Sequence, residues 1–267
     1  MNRIMIRFLA LLGAALILTS FIAHTETLEG ETAFAASVEE TLPDFRMEVV
    51  SVSVSKHRQK RVFLYHTHTC EAYEIDPDNR YVQTEKWRTA DHNYSVVRVG
   101  EELRALLQSA GIYVTHDVND YEMPRLSSAY ARSLEGLCEA AEAGYDLYID
   151  LHRDSYSKGN GSNTVTVDGA ETARLLILIG QGTGSSLDEK PDWETNRRVA
   201  QIISDALNER AEGLCRGVSL KSGRYNQQAA TPSMLIEVGN NKNTLPEALA
   251  AAEPLARAIC RYLDTLN

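Results

Sequence analysis

The sequence predicts an α/β fold, a single domain on a mixed, mostly parallel six-stranded sheet with helices on both faces. Three observations lead there. Six short apolar runs, rich in β-branched and aromatic residues, recur between residue 61 and the C-terminus, most of them continuous enough to be buried on both faces. Stretches with apolar residues at helical spacing alternate with these runs, the pattern of a layered sheet and its covering helices. The 267 residues, 43% hydrophobic and 24% charged, supply enough chain for one large, well-buried core.

The strands are expected at 61–67 (RVFLYHT), 111–117 (GIYVTHD), 145–152 (YDLYIDLH), 173–180 (ARLLILIG), 216–221 (RGVSLK) and 233–239 (SMLIEVG). Residues 95–111 place Val99, Leu103, Leu106 and Leu107 on one helical face and end at Gly111. Residues 127–144, residues 192–213 and the tail from Leu245 to Leu266 read as helices for the same reason. A hairpin over 163–178 (NTVTVDGAETARLLIL) is expected to bring an antiparallel pair into the sheet. The Gly/Ser-rich stretch 180–192 reads as a surface loop.

Residues 1–36 are of another kind. Arg3 and Arg7 precede an uncharged run from Phe8 to Ala23, and Ala33 and Ala35 form an A-x-A signal, so this is an export signal or membrane anchor. The run is short against the roughly 20 residues of a full span, which favours a cleaved signal, though a retained anchor stays open. Residues 37–60 read as a short tether, and 61–267 as the catalytic domain. The protein is expected outside the cytoplasm, at the outer membrane face or in the wall, touching the membrane only through its N-terminal segment. A net charge of −10 without any Lys/Arg run argues against a nucleic-acid partner. Cys70, Cys138, Cys215 and Cys260 are widely spaced, with no C-x-x-C pair, and read as small buried hydrophobes.

Functional groups in such sheets gather at the carboxyl ends of strands. The first strand ends in His66, His68 and Glu71, the third in His152 and Arg153, and the last carries Glu237. A hydrolytic zinc takes three protein ligands, commonly two His and a carboxylate, and keeps a fourth position for water, whose proton a nearby acid removes. His68, Glu71 and His152 match the ligands, and Glu237 the base. An acid in the buried run SMLIE costs several kcal/mol to ionise unless paired or near a metal. His66, alternating onto the face of His68, reads as a supporting or substrate-contacting residue, and which of the two is the ligand stays open. Arg153 is expected to steady an oxyanion or a substrate carboxylate. No G-x-S-x-G elbow appears, and Cys70 has no evident base, so serine or cysteine hydrolysis is disfavoured.

The segments LYHTHTCEAY, SVVRVGEEL, YIDLHRD, LKSGRYNQ and LIEVGNNKNT, in this order, resemble the stage II sporulation protein P family from about residue 60 onward. That family is similar to the zinc-dependent N-acetylmuramoyl-L-alanine amidases. The resemblance implies a mixed α/β domain with zinc, and cleavage of the N-acetylmuramoyl-L-alanine bond of peptidoglycan, with an endopeptidase cut of cross-links besides. It implies engulfment of the forespore as the setting and the stage II sporulation proteins D and M as partners. The ligands fall on HTHTCE and DLHRD, and the catalytic acid on Glu237. Related amidases take their middle ligand from a Glu before the first long helix, where this chain has TADHNYS, so Glu71 or else His92 fills that role. Arg224, Tyr225, Asn226 and Gln227 are expected to contact the stem peptide. A zinc peptidase or carboxypeptidase acting on stem peptides, and a catalytically idle wall-binding scaffold, are the alternatives.

Overall fold

The structure is a computed structural model of the chain, and it describes residues 58–266 apart from 157, 185 and 187. The expectations for 1–36 and for nearly all of 37–60 lie outside the described residues. No helix among the described residues is long and apolar enough to cross a membrane.

All six expected strands form, and they make one sheet. They are β1 (Arg61–Tyr65), β2 (Tyr113–His116), β3 (Leu147–Asp154), β6 (Leu175–Gly180), β7 (Cys215–Lys221) and β8 (Ser233–Asn240), in the order β2-β1-β3-β8-β6-β7. The first four strands of that order run parallel, β6 is antiparallel to β8, and β7 is parallel to β6.

The hairpin needs correcting. Its strands, β4 (Thr164–Val167) and β5 (Ala170–Ala173), form a separate two-stranded sheet, while the antiparallel pairing inside the main sheet is β6 on β8. Asp168 and Gly169 both take positive φ (51° and 85°), the backbone that a two-residue hairpin turn demands. The turn therefore closes β4 onto β5 and leaves β6 free to pair elsewhere.

The helices are α1 (Val96–Ser109), α2 (Ala129–Ala143), α3 (Trp193–Arg210), α4 (Leu245–Ala250) and α5 (Ala252–Leu263). Ser95 caps α1 by accepting from the Val97 N–H, Asp192 caps α3, and Thr244 with Glu247 forms a capping box on α4. The tail expected as one helix is two. Pro254 has no N–H to give the carbonyl of Ala250, and its ring crowds that carbonyl, so the helix is interrupted between them.

Helices cover both faces, but unequally. On one face Leu64, Ile149, Leu151, Ile236 and Ile177 meet Leu103 and Leu107 of α1, Ile203 and Leu207 of α3 and Ile259 of α5 in one continuous core. On the other, Phe63, Tyr65 and Tyr148 form a smaller cluster with Leu137 and Ala140 of α2 and Ala230 from the loop before β8, and the partly buried Ala141, Tyr145 and Ala229 pack against it. Side chains alternate along a strand, so Asp150 and His152 project on the same thinly covered face as Tyr148. That is where the site lies. Of the four cysteines, all free, only Cys215 is buried, so the expectation of four buried thiols fails at the exposed Cys138 and the half-buried Cys70 and Cys260.

Candidate active site

β3 and β8 are adjacent and parallel, and their register sets His152 opposite Glu237. Opposite residues of a parallel pair project from one face, so imidazole and carboxyl stand side by side. The register shifts between His152 and Asp154, and such an irregularity re-aims the residues beyond it. Glu71 arrives from the long segment between β1 and α1. Backbone bonds from Ala72 to Trp87, Thr89 to Cys70 and Val96 to Glu71 pin that segment against the start of α1.

His152 sits between two carboxylates. Its Nδ1 is 3.4 Å from Glu71 Oε2, and its Nε2 is 2.8 Å from Asp150 Oδ1, without the alignment of a hydrogen bond. Burial opposes a charged ring, but Asp150 and then Glu71 outweigh it and hold this imidazole well above its usual range. Asp150 in turn accepts from the Thr67 N–H at 2.8 Å and the Thr67 hydroxyl at 2.7 Å. Burial would raise its carboxyl, but His152 and these donors bring it below the ordinary value. Burial acts against Glu71 too, and His152 and Arg153 overcome it, so this carboxyl is also lowered.

Glu237 differs from the other acids. It is 9% exposed, and its Oε2 is buried with no hydrogen-bond partner. Burial raises its carboxyl to about 8; the attraction of His152 pulls the other way, and Glu71 and Asp154 repel it. A buried acid raised in this way beside a histidine marks a candidate proton-transferring group.

His68 completes the cluster. Its ring stands edge-on to that of His152 with centroids 5.3 Å apart, and edge-on to Tyr130 at 5.7 Å. Two donors on one tetrahedral zinc at about 2.1 Å each lie roughly 3.4 Å apart, and two imidazoles on it have centres about 5 Å apart. Glu71 with His152, and His152 with His68, have these spacings. Among the described residues no group of three His, Cys, Asp or Glu side chains is placed to hold a metal ion, so the arrangement is a pair at ligand spacing with a third ring beside it. Glu237, with its unpartnered Oε2, lies in register with His152 of this group, and the donor set, two imidazoles and a carboxylate, has the chemistry that zinc takes.

Other expected residues are placed differently. His66 is not on the His68 side at all. Its Nδ1–H donates to the Leu151 carbonyl at 2.8 Å and its Nε2 lies 2.8 Å from His116 Nε2, on the α1 side of the sheet, where burial lowers it to about 3. Arg153 does not project freely toward an oxyanion. Its Nε donates to Ala72 O, its Nη2 to Trp87 O and its backbone N–H to Glu71 Oε2, so it holds the Glu71 segment in place. Gln227 binds β6 through Gly180 N and Leu178 O, and Asn226 donates to Tyr130 O and Ser133 Oγ, so both are buried in structural bonds. Tyr225 packs edge-on to Tyr130, and Arg224 bonds Glu189 O at the surface. It is Glu71, not His92, that stands beside His152.

Sequence reasoning did not single out Glu122, Arg88 or Tyr130. Glu122 lies 3.1 Å from His68 Nδ1 and accepts from Arg88 at 2.6 Å; burial acts against it, yet these partners lower its carboxyl to about 2. Nothing local marks an acid in the stretch NDYEM, and only the tertiary fold brings it to His68.

The fold and cluster define a mixed α/β domain with an imidazole–carboxylate site at the carboxyl ends of three neighbouring parallel strands. One solved structure with a similar fold is the CwlD amidase from Clostridioides difficile in complex with the GerS lipoprotein (TM-score 0.51, 15% identity, 78% of this chain and 100% of that one). The stage II sporulation protein P family model matches residues 23–260, and the chain belongs to that family. The stage II sporulation protein P of Bacillus subtilis (strain 168) is 29% identical over 218 residues, 74% of this chain and 50% of that protein. The chain thus spans about half the length of the curated relative it matches.

Proposed function

We propose that this protein is a zinc-dependent peptidoglycan hydrolase that cleaves the N-acetylmuramoyl-L-alanine amide bond. The observation that carries the reading is Glu237, a buried carboxyl with an unpartnered oxygen, raised to about 8 and set beside His152. His68, Glu71 and His152 would hold the zinc, which when bound supplies Lewis acidity and lowers the pKa of water. Glu237, close to neutral in its proton affinity, takes the proton from the attacking water and returns it to the departing amine. Arg153 contributes by fixing Glu71, and Asp150 by the attraction of its carboxylate for the His152 ring 2.8 Å away. Tyr130 stands edge-on to His68 and Tyr225 edge-on to Tyr130, which sets partly buried aromatic surface beside the group. Family membership supports the setting we infer, which is export, engulfment of the forespore and partnership with the stage II sporulation proteins D and M.

The test is digestion of purified muropeptides by the full chain, with products read by mass. Zinc-loaded protein should release stem peptide from the lactyl group, chelator should abolish this, and Glu237→Gln should lower the rate about 10²–10⁴-fold. Full activity after chelation, or in Glu237→Gln, contradicts the proposal. Shortened stem peptides with the sugar–alanine link intact would instead indicate the peptidase alternative.

A further inference from the structure

We propose that Glu122, clamped by Arg88, is the positioning residue that fixes the tautomer and aim of His68, so that this ring presents Nε2 to the reaction centre. The proposal rests on the reading of His68 as a metal-ligating side chain. Each oxygen of Glu122 has its own partner, His68 Nδ1 for Oε1 at 3.1 Å and Arg88 Nη2 for Oε2 at 2.6 Å. An ionised carboxylate can only accept. His68 must therefore carry its proton on Nδ1 when neutral, which leaves the lone pair on Nε2. A free neutral imidazole prefers the opposite tautomer, with the proton on Nε2, and that form would have no lone pair there to offer a cation.

The surroundings hold this contact rigidly. Glu122 is 6% exposed and sits in the segment between β2 and α2, where Asp120 Oδ1 accepts from its backbone N–H at 2.9 Å. Arg132 of α2 braces the same segment through the carbonyls of Tyr121 and Arg125. Arg88 comes from the other loop, the one that carries Glu71, and its backbone N–H bonds Glu85 O. The loop that carries His68, Glu71 and Arg88 and the loop between β2 and α2 thus meet at one carboxylate. Tyr130 stands against the ring from the α2 side, which leaves His68 little freedom to turn. A buried ion pair is weak evidence for stability by itself, because desolvating the charges offsets their attraction. Here the second oxygen is spent on the imidazole, as in carboxylate–histidine pairs that orient a metal ligand.

The test is the tautomer of His68 in the zinc-free full chain, read from its ring ¹⁵N shifts, followed by zinc titration of the same samples. The wild type should show Nδ1–H. Glu122→Ala should move the population to Nε2–H and weaken zinc binding about 10–100-fold. Glu122→Gln, whose amide oxygen still accepts from Nδ1–H, should retain most of both properties. If Glu122→Ala does not fold, Arg88→Met takes its place and should weaken zinc binding several-fold. An Nε2–H wild type, or unchanged tautomer and affinity in Glu122→Ala or in its substitute, overturns the proposal. A wild type with the Nδ1–H tautomer that takes up no zinc supports the positioning role and contradicts the metal reading instead.

Discussion

Glu237 carries its proton to a higher pH in the folded chain than an ordinary glutamate, about 8 against 4.5, because burial penalises the charge. The sign of the consequence follows from proton counting. Between those two values the unfolded chain has released the proton and the native chain retains it, so stability falls as pH rises from about 4.5 to 8 and is flat above. Glu237→Gln removes this penalty. In chelator-treated protein the variant should exceed the wild type in stability by up to a few kcal/mol at alkaline pH, with the gap closing toward pH 5. Urea midpoints across that range check it, and a gap independent of pH contradicts it. Glu237 was legible because an acid inside SMLIE interrupts an otherwise apolar strand. Glu122 was not, since its role exists only once two loops converge on His68.

At the scale of elements, α1 meets the sheet closely at Gly100. A Cβ there would lie 2.7 Å from both His66 Nε2 and His116 Nε2, and the first of these rings is held by the Leu151 carbonyl. Alanine is the better helix former by up to about 1 kcal/mol, yet the crowding of a packed site typically costs about 1–3 kcal/mol. Gly100→Ala should therefore destabilise the fold, as measured by denaturant midpoint, and a stabilised variant would show that the histidine pair yields freely. Leu103→Ala, in the fully buried stripe of α1, should cost about 2–5 kcal/mol by the same measurement. The six strands and the helix positions were readable because their apolar periods are long and regular. The pairing partner of β6 was not, since nothing in a strand's own residues says whether it joins the preceding hairpin or a strand sixty residues later. His66 was misjudged for a related reason. Alternation along β1 carries on through His66, which follows Leu64 onto the α1 side, and the chain beyond it turns His68 to the other side.

Among the described residues the sheet is covered asymmetrically, with α1, α3 and α5 sealing one face and α2 and loops over the other. The thick face holds the larger core and the thin face carries His152, Asp150 and Glu237 at the strand ends. A cation bound there, and not by the unfolded chain, stabilises the native state by about 2.7 kcal/mol at a hundredfold excess over Kd. For a domain of about 200 residues that corresponds to a Tm rise of roughly 5–10 °C. The rise should be lost on His152→Ala, with thermal unfolding as the check. The central claim is that His68, Glu71 and His152 grip one divalent ion, and zinc X-ray absorption on the full chain addresses it most directly. The account predicts one zinc per chain bound by two imidazole nitrogens and a carboxylate oxygen, with ligand distances near 2.0–2.2 Å, roughly as in other such sites. A chain that binds no zinc, or one that keeps the same spectrum when His68 and His152 are both replaced by alanine, contradicts it.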